Sequence, residues 1–171
     1  MNSIFAKDGS ELVSYTINNY NWTDMDKVGC RLLEEMKYIK SSYNCNTEPI
    51  SFNNQVEWHK NDQWYNKKKE PQRINGGYFY RTILLADGTL LNFNCVGNML
   101  IDVNGYKGPN TIGRDIFYIQ ISENKLIPEF FNLKGVNYCA GAYGVAITKD
   151  NYVDDCKNGS GYGCSPLFIL E

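Results

Sequence analysis

The sequence lacks a long hydrophobic run and an excess of either charge. Its mean hydropathy is −0.44, and no apolar stretch reaches the ~18 residues that mark a membrane-spanning helix. The first residues, MNSIFAKDGSELV, have neither the basic start nor the apolar centre of a signal peptide. The 17 Lys and Arg residues nearly balance the 19 Asp and Glu residues, giving a net charge of −2. This argues against a membrane span within the chain and against nucleic acid as a partner, which requires a clustered basic face.

Histidine is scarce too, with His59 as the single one among 171 residues. A zinc site would need thiolates, and no CxxC or Cys/His spacing is present, so zinc is not expected. The cysteines are even in number: Cys30, Cys45, Cys95, Cys139, Cys156 and Cys164. They are disulfide candidates, which would place the protein in an oxidising compartment, and free cysteines in the cytosol are the alternative. Six cysteines allow about 15 pairings, and the spacing selects none of them.

One pairing, Cys30 with Cys45, is disfavoured by chain geometry. If residues 24–41 form one helix, Cys30 lies about 16 Å before its end. The segment from Ser42 to Cys45 reaches back at most about 13–14 Å, whereas a disulfide holds its two Cα atoms about 4.4–6.8 Å apart. Closure would therefore need an immediate and nearly straight reversal of the chain.

Residues 1–41 are predicted to be helical. A weak apolar stripe runs through residues 3–19, although Gly9 lies inside it. The stripe that follows is much clearer, because apolar residues recur at intervals of three and four. These residues are Met25, Val28, Leu32, Met36 and Ile39. A single apolar face of this kind favours an amphipathic helix that covers a sheet.

Residues 42–77 show no regular period and are predicted to be a long loop. The loop carries aromatic and basic side chains that could stack on and attract a glycan or another surface ligand. These residues are Trp58, Trp64, Tyr65, Lys67, Lys68 and Lys69. The alternative is a solvated loop whose tryptophans pack over the edge of the sheet. Exposure of the rings as a cluster would distinguish a binding surface from a structural loop.

Residues 78–131 are predicted to form an antiparallel sheet. Asp87-Gly88 stands between two β-rich runs, a pattern typical of a hairpin with a type I′ turn. Two more strands are expected at 98–103 and 115–122, so consecutive strands form a four-stranded meander.

The last part of the chain, residues 132–171, is rich in Gly and Cys. It is predicted to be a loop-rich tail held by disulfides rather than a regular element. The fold class is then α+β in a single domain, residues 1–171, with an N-terminal helix of one or two segments packed on the meander.

The segment 102–115 joins two of the predicted strands and is dense in short side chains that bear oxygen. Asp102, Asn104, Asn110 and Asp115 flank turns at Gly and Pro, and hard cations such as calcium prefer oxygen ligands. They are weak calcium candidates, because the Glu that ends an EF-hand loop is missing. The alternative is that they bond to their own backbone in Asx turns, without an ion. No other cofactor is expected.

Catalysis is not expected from this sequence. His59 is the only histidine that could pair with a cysteine, and no nucleophile signature surrounds it. The carboxylate pairs Glu34-Glu35 and Asp154-Asp155 are interpreted as solvated surface charge rather than as an acid and a base. No phosphate-binding glycine loop is present.

Two strings in the predicted sheet are long and contain few of the residues that are common to unrelated strands. They are ADGTLLNF and LIDVNGYKGPNTIGRDIFYIQI. They resemble the sheet portion of bacterial type IV pilin-like and type II secretion pseudopilin-like proteins. The match covers residues 83–121. The residues that carry it are Ala86, Asp87, Gly88, Asp102, Asn104, Gly105, Lys107, Gly108, Pro109, Asn110, Gly113, Asp115 and Phe117.

The resemblance implies a pilin-like globular domain, with a helix on an antiparallel sheet and a C-terminal region closed by a disulfide. It implies a non-enzymatic structural subunit of a bacterial surface filament or secretion pseudopilus, located in the cell envelope, at the surface or outside the cell. The partners would be other pilin-like subunits. Membrane contact would come only through an N-terminal hydrophobic segment of about 20–25 residues. That segment is missing here, so we expect Met1 to begin a truncated form.

A second function stays open beside the structural one. The chain could be a minor-pilin-type adhesin, or a glycan- or surface-binding module, that uses the loop from Trp58 to Arg73 and the C-terminal tail.

Overall fold

The computed structural model describes residues 22–59, 64–72, 81–95, 98–122, 125–128 and 150–170. Within these ranges the helices are α1 (Trp22–Glu35), α2 (Tyr152–Asn158) and α3 (Cys164–Leu170). The first strands are β1 (Tyr38–Ser41), β2 (Tyr43–Asn44), β3 (Ser51–Phe52), β4 (Trp64–Tyr65) and β5 (Pro71–Gln72). The later strands are β6 (Thr82–Leu85), β7 (Leu90–Cys95), β8 (Asn98–Asp102), β9 (Ile116–Ser122) and β10 (Lys125–Pro128).

The described residues are mostly β-structure. One antiparallel sheet has the strand order β1-β6-β7-β8-β9-β10, and β2–β3 and β4–β5 form two small sheets. The prediction of an N-terminal helix packed on a four-stranded meander is therefore wrong, since short helices accompany a larger sheet. The stronger predicted helix stops at Glu35, and the weaker one, over residues 3–19, lies outside the described residues.

Strand β1 explains much of this difference. Its residues continue the helical spacing of apolar positions, but Tyr38 pairs with Leu85 and Ser41 with Ile83 in the sheet. Ile39 is 57% exposed while Ser41 is buried, the reverse of what a helix facing the core would give. Tyr38, β-branched Ile39 and Ser41 favour a helix only slightly, so pairing with β6 determines the structure here.

Side chains alternate across the sheet and are buried on both of its faces. One cluster joins α1 and β2 to the sheet: Val28, Leu32, Tyr43, Ile83, Leu91, Phe93, Met99, Ile101 and Ile119. The other lies under β4 and the turn before α3: Val56, Trp58, Trp64, Leu90, Leu100, Ile112, Ile116, Tyr118 and Tyr162. Burial on both faces explains why β8 and β9 read as nearly continuous hydrophobic runs.

The hairpin between β6 and β7 forms at Asp87-Gly88, but with another turn than expected. Gly88 has a φ of +95°, whereas Asp87 does not have a positive φ, so the turn is not type I′. The N–H of Gly88 donates to the carbonyl of Leu85 at 3.1 Å, and the N–H of Leu85 donates to the carbonyl of Thr89 at 2.9 Å. This is a type I turn closed by a left-handed glycine, the usual form of a longer hairpin loop.

Two disulfides link described cysteines: Cys30–Cys45, with Cα atoms 5.7 Å apart, and Cys156–Cys164, with Cα atoms 4.6 Å apart. The prediction that these four cysteines form disulfides is confirmed. Cys139 lies outside the described residues, as does the side chain of Cys95. Disulfides persist in oxidising compartments, so the protein belongs to an extracellular or periplasmic environment.

The prediction against the Cys30–Cys45 pair is wrong. Because α1 ends at Glu35, Cys30 lies only about 7.5 Å before the helix end. The chain then turns into β1 and has ten residues, not four, in which to return to Cys45. The predicted helix was six residues too long, because it was expected to reach residue 41 and ends at Glu35.

The tail is also more regular than predicted, because α2 and α3 lie within it and the Cys156–Cys164 disulfide joins them. Residues 132–149 of that tail lie outside the described residues. No helix in the described ranges has the length and apolar character needed to cross a membrane.

Candidate functional site

The loop between β8 and β9 holds the four calcium candidates. The carboxylate of Asp102 accepts the backbone N–H of Asn104 at 3.0 Å, which is an Asx turn. The carboxylate of Asp115 accepts the N–H of Thr111 at 2.5 Å and the side-chain amide of Asn104 at 3.1 Å. Asn110 has a φ of +49° and is buried. The candidate ligands therefore shape the loop through hydrogen bonds to its own backbone and to each other.

The amide oxygens of Asn104 and Asn110 are buried and accept no hydrogen bond. Among the described residues, no three His, Cys, Asp or Glu side chains converge as metal ligands. Calcium at this loop stays a prediction.

The side chain of Asp102 also contacts His59, the single histidine. The Nε2 atom of His59 lies 2.7 Å from Oδ2 of Asp102, and both side chains have no solvent exposure. Burial raises the pKa of Asp102 above its ordinary value, and the hydrogen bond and charge of His59 oppose this rise. Trp58 and Tyr106 enclose the imidazole, with ring centroids 5.0 and 5.7 Å from it.

A buried His–Asp pair can orient an imidazole for catalysis, but a substrate must be able to reach the ring. The side chain of His59 is buried in this structure, and its bond to Asp102 joins the segment before β4 to the end of β8. Spacing could not have indicated this pair, because the two residues lie 43 positions apart.

The six predicted surface-binding residues separate into two groups. Trp58 has no exposed surface and Trp64 has 3%, and their rings meet edge to face at 6.2 Å in the core. Of the two interpretations of these tryptophans, their burial supports packing over the sheet rather than ligand binding at the surface. Tyr65 is 37% exposed, and the run Lys67, Lys68 and Lys69 is exposed.

An open groove of about 620 Å³ lies beside Tyr65. One wall is the turn between β4 and β5, with Lys67 and Lys69, and the other is formed by residues 109–114, with Arg114. Sequence reasoning identified the first wall but not Arg114, because Arg114 lies 45 positions after Lys69 in the chain.

Asp155 was wrongly interpreted as a solvated surface charge. It is buried, and its carboxylate accepts hydrogen bonds from the N–H and hydroxyl of Ser160, both at 2.8 Å. It also accepts the N–H groups of Gly161 at 3.2 Å and Gly163 at 2.8 Å. One carboxylate thus organises the turn between α2 and α3. The glycine-rich sequence after it was the available signal, since closely spaced glycines let several N–H groups face one anion.

Comparisons with protein-family models, with curated proteins and with solved structures give no match. The resemblance to pilin-like proteins therefore rests on residues 83–121 alone.

Proposed function

We propose that this chain is the globular domain of a non-enzymatic structural subunit of a bacterial surface filament or secretion pseudopilus. The observation that carries the proposal is that the residues behind the pilin-like resemblance form the scaffold of the domain. The first string supplies the β6–β7 turn and the second supplies the β8–β9 loop. A Cβ atom at Gly105 would lie 2.2 Å from the carbonyl oxygen of Gly88, so the two strings meet backbone to backbone.

The polar residues of the strings support the same reading. Asp102 and Asp115 direct their carboxylates to groups of the loop and to His59, rather than into an open cavity. Polar side chains that bond within the domain stabilise its structure rather than hold a ligand, as expected for a subunit that acts by packing against its neighbours.

The disulfides support a location outside the cytosol, where such a subunit would act. The binding-module alternative is weaker than the sequence suggested, because Trp58 and Trp64 are core residues. Its remaining support is the groove beside Tyr65.

The proposal is tested in the bacterium that encodes the chain. Cells are sheared, the surface fraction is collected, and the protein is detected by antibody with and without formaldehyde cross-linking. We expect the protein in the sheared fraction, in a ladder of cross-linked multimers, and we expect immunogold label along filaments. Protein found in the cytosol, or released into the medium only as a monomer, would overturn the proposal.

A matched pair of variants makes the test specific. Gly108→Ala places a methyl group where no atom lies within 4 Å, whereas Gly105→Ala places it against the Gly88 carbonyl. In a strain that lacks the native gene, the first variant should restore the multimer ladder and the second should not. Equal restoration by both would mean that the contact between the two strings is unimportant for assembly.

A further inference from the structure

We propose that the groove beside Tyr65 binds a carboxylate-bearing oligosaccharide. Its volume of about 620 Å³ falls within the ~300–1,000 Å³ typical of sites for small ligands. This binding site does not depend on filament assembly, so either proposal can fail while the other holds.

The groove is built before any ligand arrives. The N–H of Tyr65 donates to the carbonyl of Asn110 at 3.0 Å, and the N–H of Ile112 donates to the carbonyl of Tyr65 at 2.9 Å. These two bonds fix the walls relative to each other. The N–H of Lys67 donates to the carbonyl of Ser160 at 2.8 Å, which anchors the basic wall to the turn before α3. The groove would therefore be rigid before a ligand binds, and the entropic cost of ordering its walls on binding would be small.

The charge of the groove selects an anion. Lys67, Lys69 and Arg114 line it, and no acidic side chain among the described residues does. Glu70, the nearest carboxylate along the chain, is held by the side-chain amide of Asn66 at 2.6 Å. Lys67 donates to the carbonyl of Cys156, so Lys69 and Arg114 are the cations best placed to receive a carboxylate. Arg presents a planar fork that matches a carboxylate in two hydrogen bonds.

The other groups in the groove favour a sugar over a bare ion. Tyr65 offers a partly exposed ring, an apolar face with a polar tip that suits the flat side of a pyranose. Thr111 adds a hydroxyl on the opposite wall. A long polyphosphate chain fits less well, because the net charge of −2 disfavours a polyanion that extends beyond the groove.

The probe for a binding test is tri-galacturonate, titrated by NMR or calorimetry into the complete, oxidised chain at low salt. Maltotriose is the neutral control of equal length, and inorganic phosphate and a short oligothymidylate are the anionic controls. We expect binding of tri-galacturonate that weakens as salt is added, and no binding of maltotriose. Equal binding of maltotriose, tighter binding of oligothymidylate, or binding of phosphate alone would overturn the proposal.

Two adjacent lysines offer a matched pair of variants. Lys69→Glu and Lys68→Glu make the same charge change one residue apart, but only Lys69 lines the groove. Lys69→Ala and Arg114→Ala should each weaken binding by up to about fivefold, the upper end for an exposed charge pair. Lys69→Glu should weaken binding further, and Lys68→Glu should leave it within twofold. Tyr65→Ala should weaken binding without changing its salt dependence. Equal effects of Lys68→Glu and Lys69→Glu would contradict a site in this groove.

Discussion

Gly105 and Gly88 lie in contact at one end of the sheet, where the Cα of Gly105 in the β8–β9 loop faces the backbone carbonyl of Gly88 in the β6–β7 turn. A Cβ at Gly105 would lie 2.2 Å from the Gly88 oxygen, and Gly105 has a φ of +64°. Two independent constraints, close approach and left-handed backbone, thus require glycine at this position.

A series of three alanine substitutions separates these constraints. Gly108→Ala meets no atom within 4 Å and should change the free energy of unfolding by less than about 0.5 kcal/mol. Gly88→Ala has equally open space but a φ of +95°, and should destabilise by about 1–2 kcal/mol. Gly105→Ala combines the backbone strain with the clash, and it should destabilise the protein more than Gly88→Ala does. Urea unfolding followed by circular dichroism measures all three.

The order of the three effects is the test of the series. Gly105→Val, which is larger and β-branched, should be worse than Gly105→Ala and cost at least about 1–3 kcal/mol. If Gly105→Ala and Gly108→Ala unfold at the same urea midpoint, the contact between the two turns does not exist in solution.

Local signals in the sequence predicted the features that neighbouring residues determine. The hairpin at Asp87-Gly88 and the Asx turn at Asp102 depend on a few adjacent residues, so pattern reasoning could find both. Strand β1 could not be found this way, because its apolar residues continue the helical spacing and its partner β6 lies more than 40 positions away.

The candidate site shows the same limit. The burial of Trp58 and Trp64 depends on a layer formed by β8, β9 and the turn before α3, which no local pattern reveals. Aromatic residues in an irregular segment look alike whether they cover a sheet or bind a ligand. The fold therefore determined which members of the predicted surface were exposed.

Removing one partner of the buried pair of His59 and Asp102 should destabilise the fold strongly. Asp102→Ala leaves the imidazole without its carboxylate and the N–H of Asn104 without its acceptor, and should cost about 3–5 kcal/mol. Asp102→Asn keeps an oxygen for Asn104 and should cost less.

A double-mutant cycle with His59→Ala isolates the pair from the other contacts of both residues. The losses of unfolding free energy in the two single variants should add up to more than the loss in the double variant, by over about 1 kcal/mol. Strictly additive effects would mean that the two side chains do not interact in the folded protein.

The Asp155 carboxylate should be essential to the turn between α2 and α3. In Asp155→Asn the NH₂ group of the amide would face backbone N–H donors, which now bond to the carboxylate. The free energy of unfolding should therefore fall by about 2–3 kcal/mol. Asp154→Asn is the matched control, because Asp154 is exposed on the same helix, and it should change stability by less than about 0.5 kcal/mol. Similar effects of the two variants would show that Asp155 is solvated after all.

The pKa of Asp87 should lie below the ordinary Asp value, and the pKa of Asp102 should lie above it. The backbone N–H of Thr89 donates to the Asp87 carboxylate at 2.9 Å and lowers the pKa of that group, whereas burial raises the pKa of Asp102. The stabilisation from ionised Asp87 is complete above about pH 4 and is lost as pH falls through its lowered folded pKa. For Asp102 the folded protein binds more protons than the unfolded chain from about pH 4 up to the raised pKa, so the free energy of unfolding falls as pH rises through that window.

Carboxyl carbon chemical shifts followed from about pH 2 to pH 6 give both pKa values directly. Unfolding measurements on Asp87→Asn and Asp102→Asn give the same result thermodynamically, because each variant removes one titrating group. The stability of the parent relative to Asp87→Asn should rise with pH, and its stability relative to Asp102→Asn should fall. If both differences change with the same sign, burial does not control Asp102, and the hydrogen bond from His59 instead holds its carboxylate ionised in the folded protein.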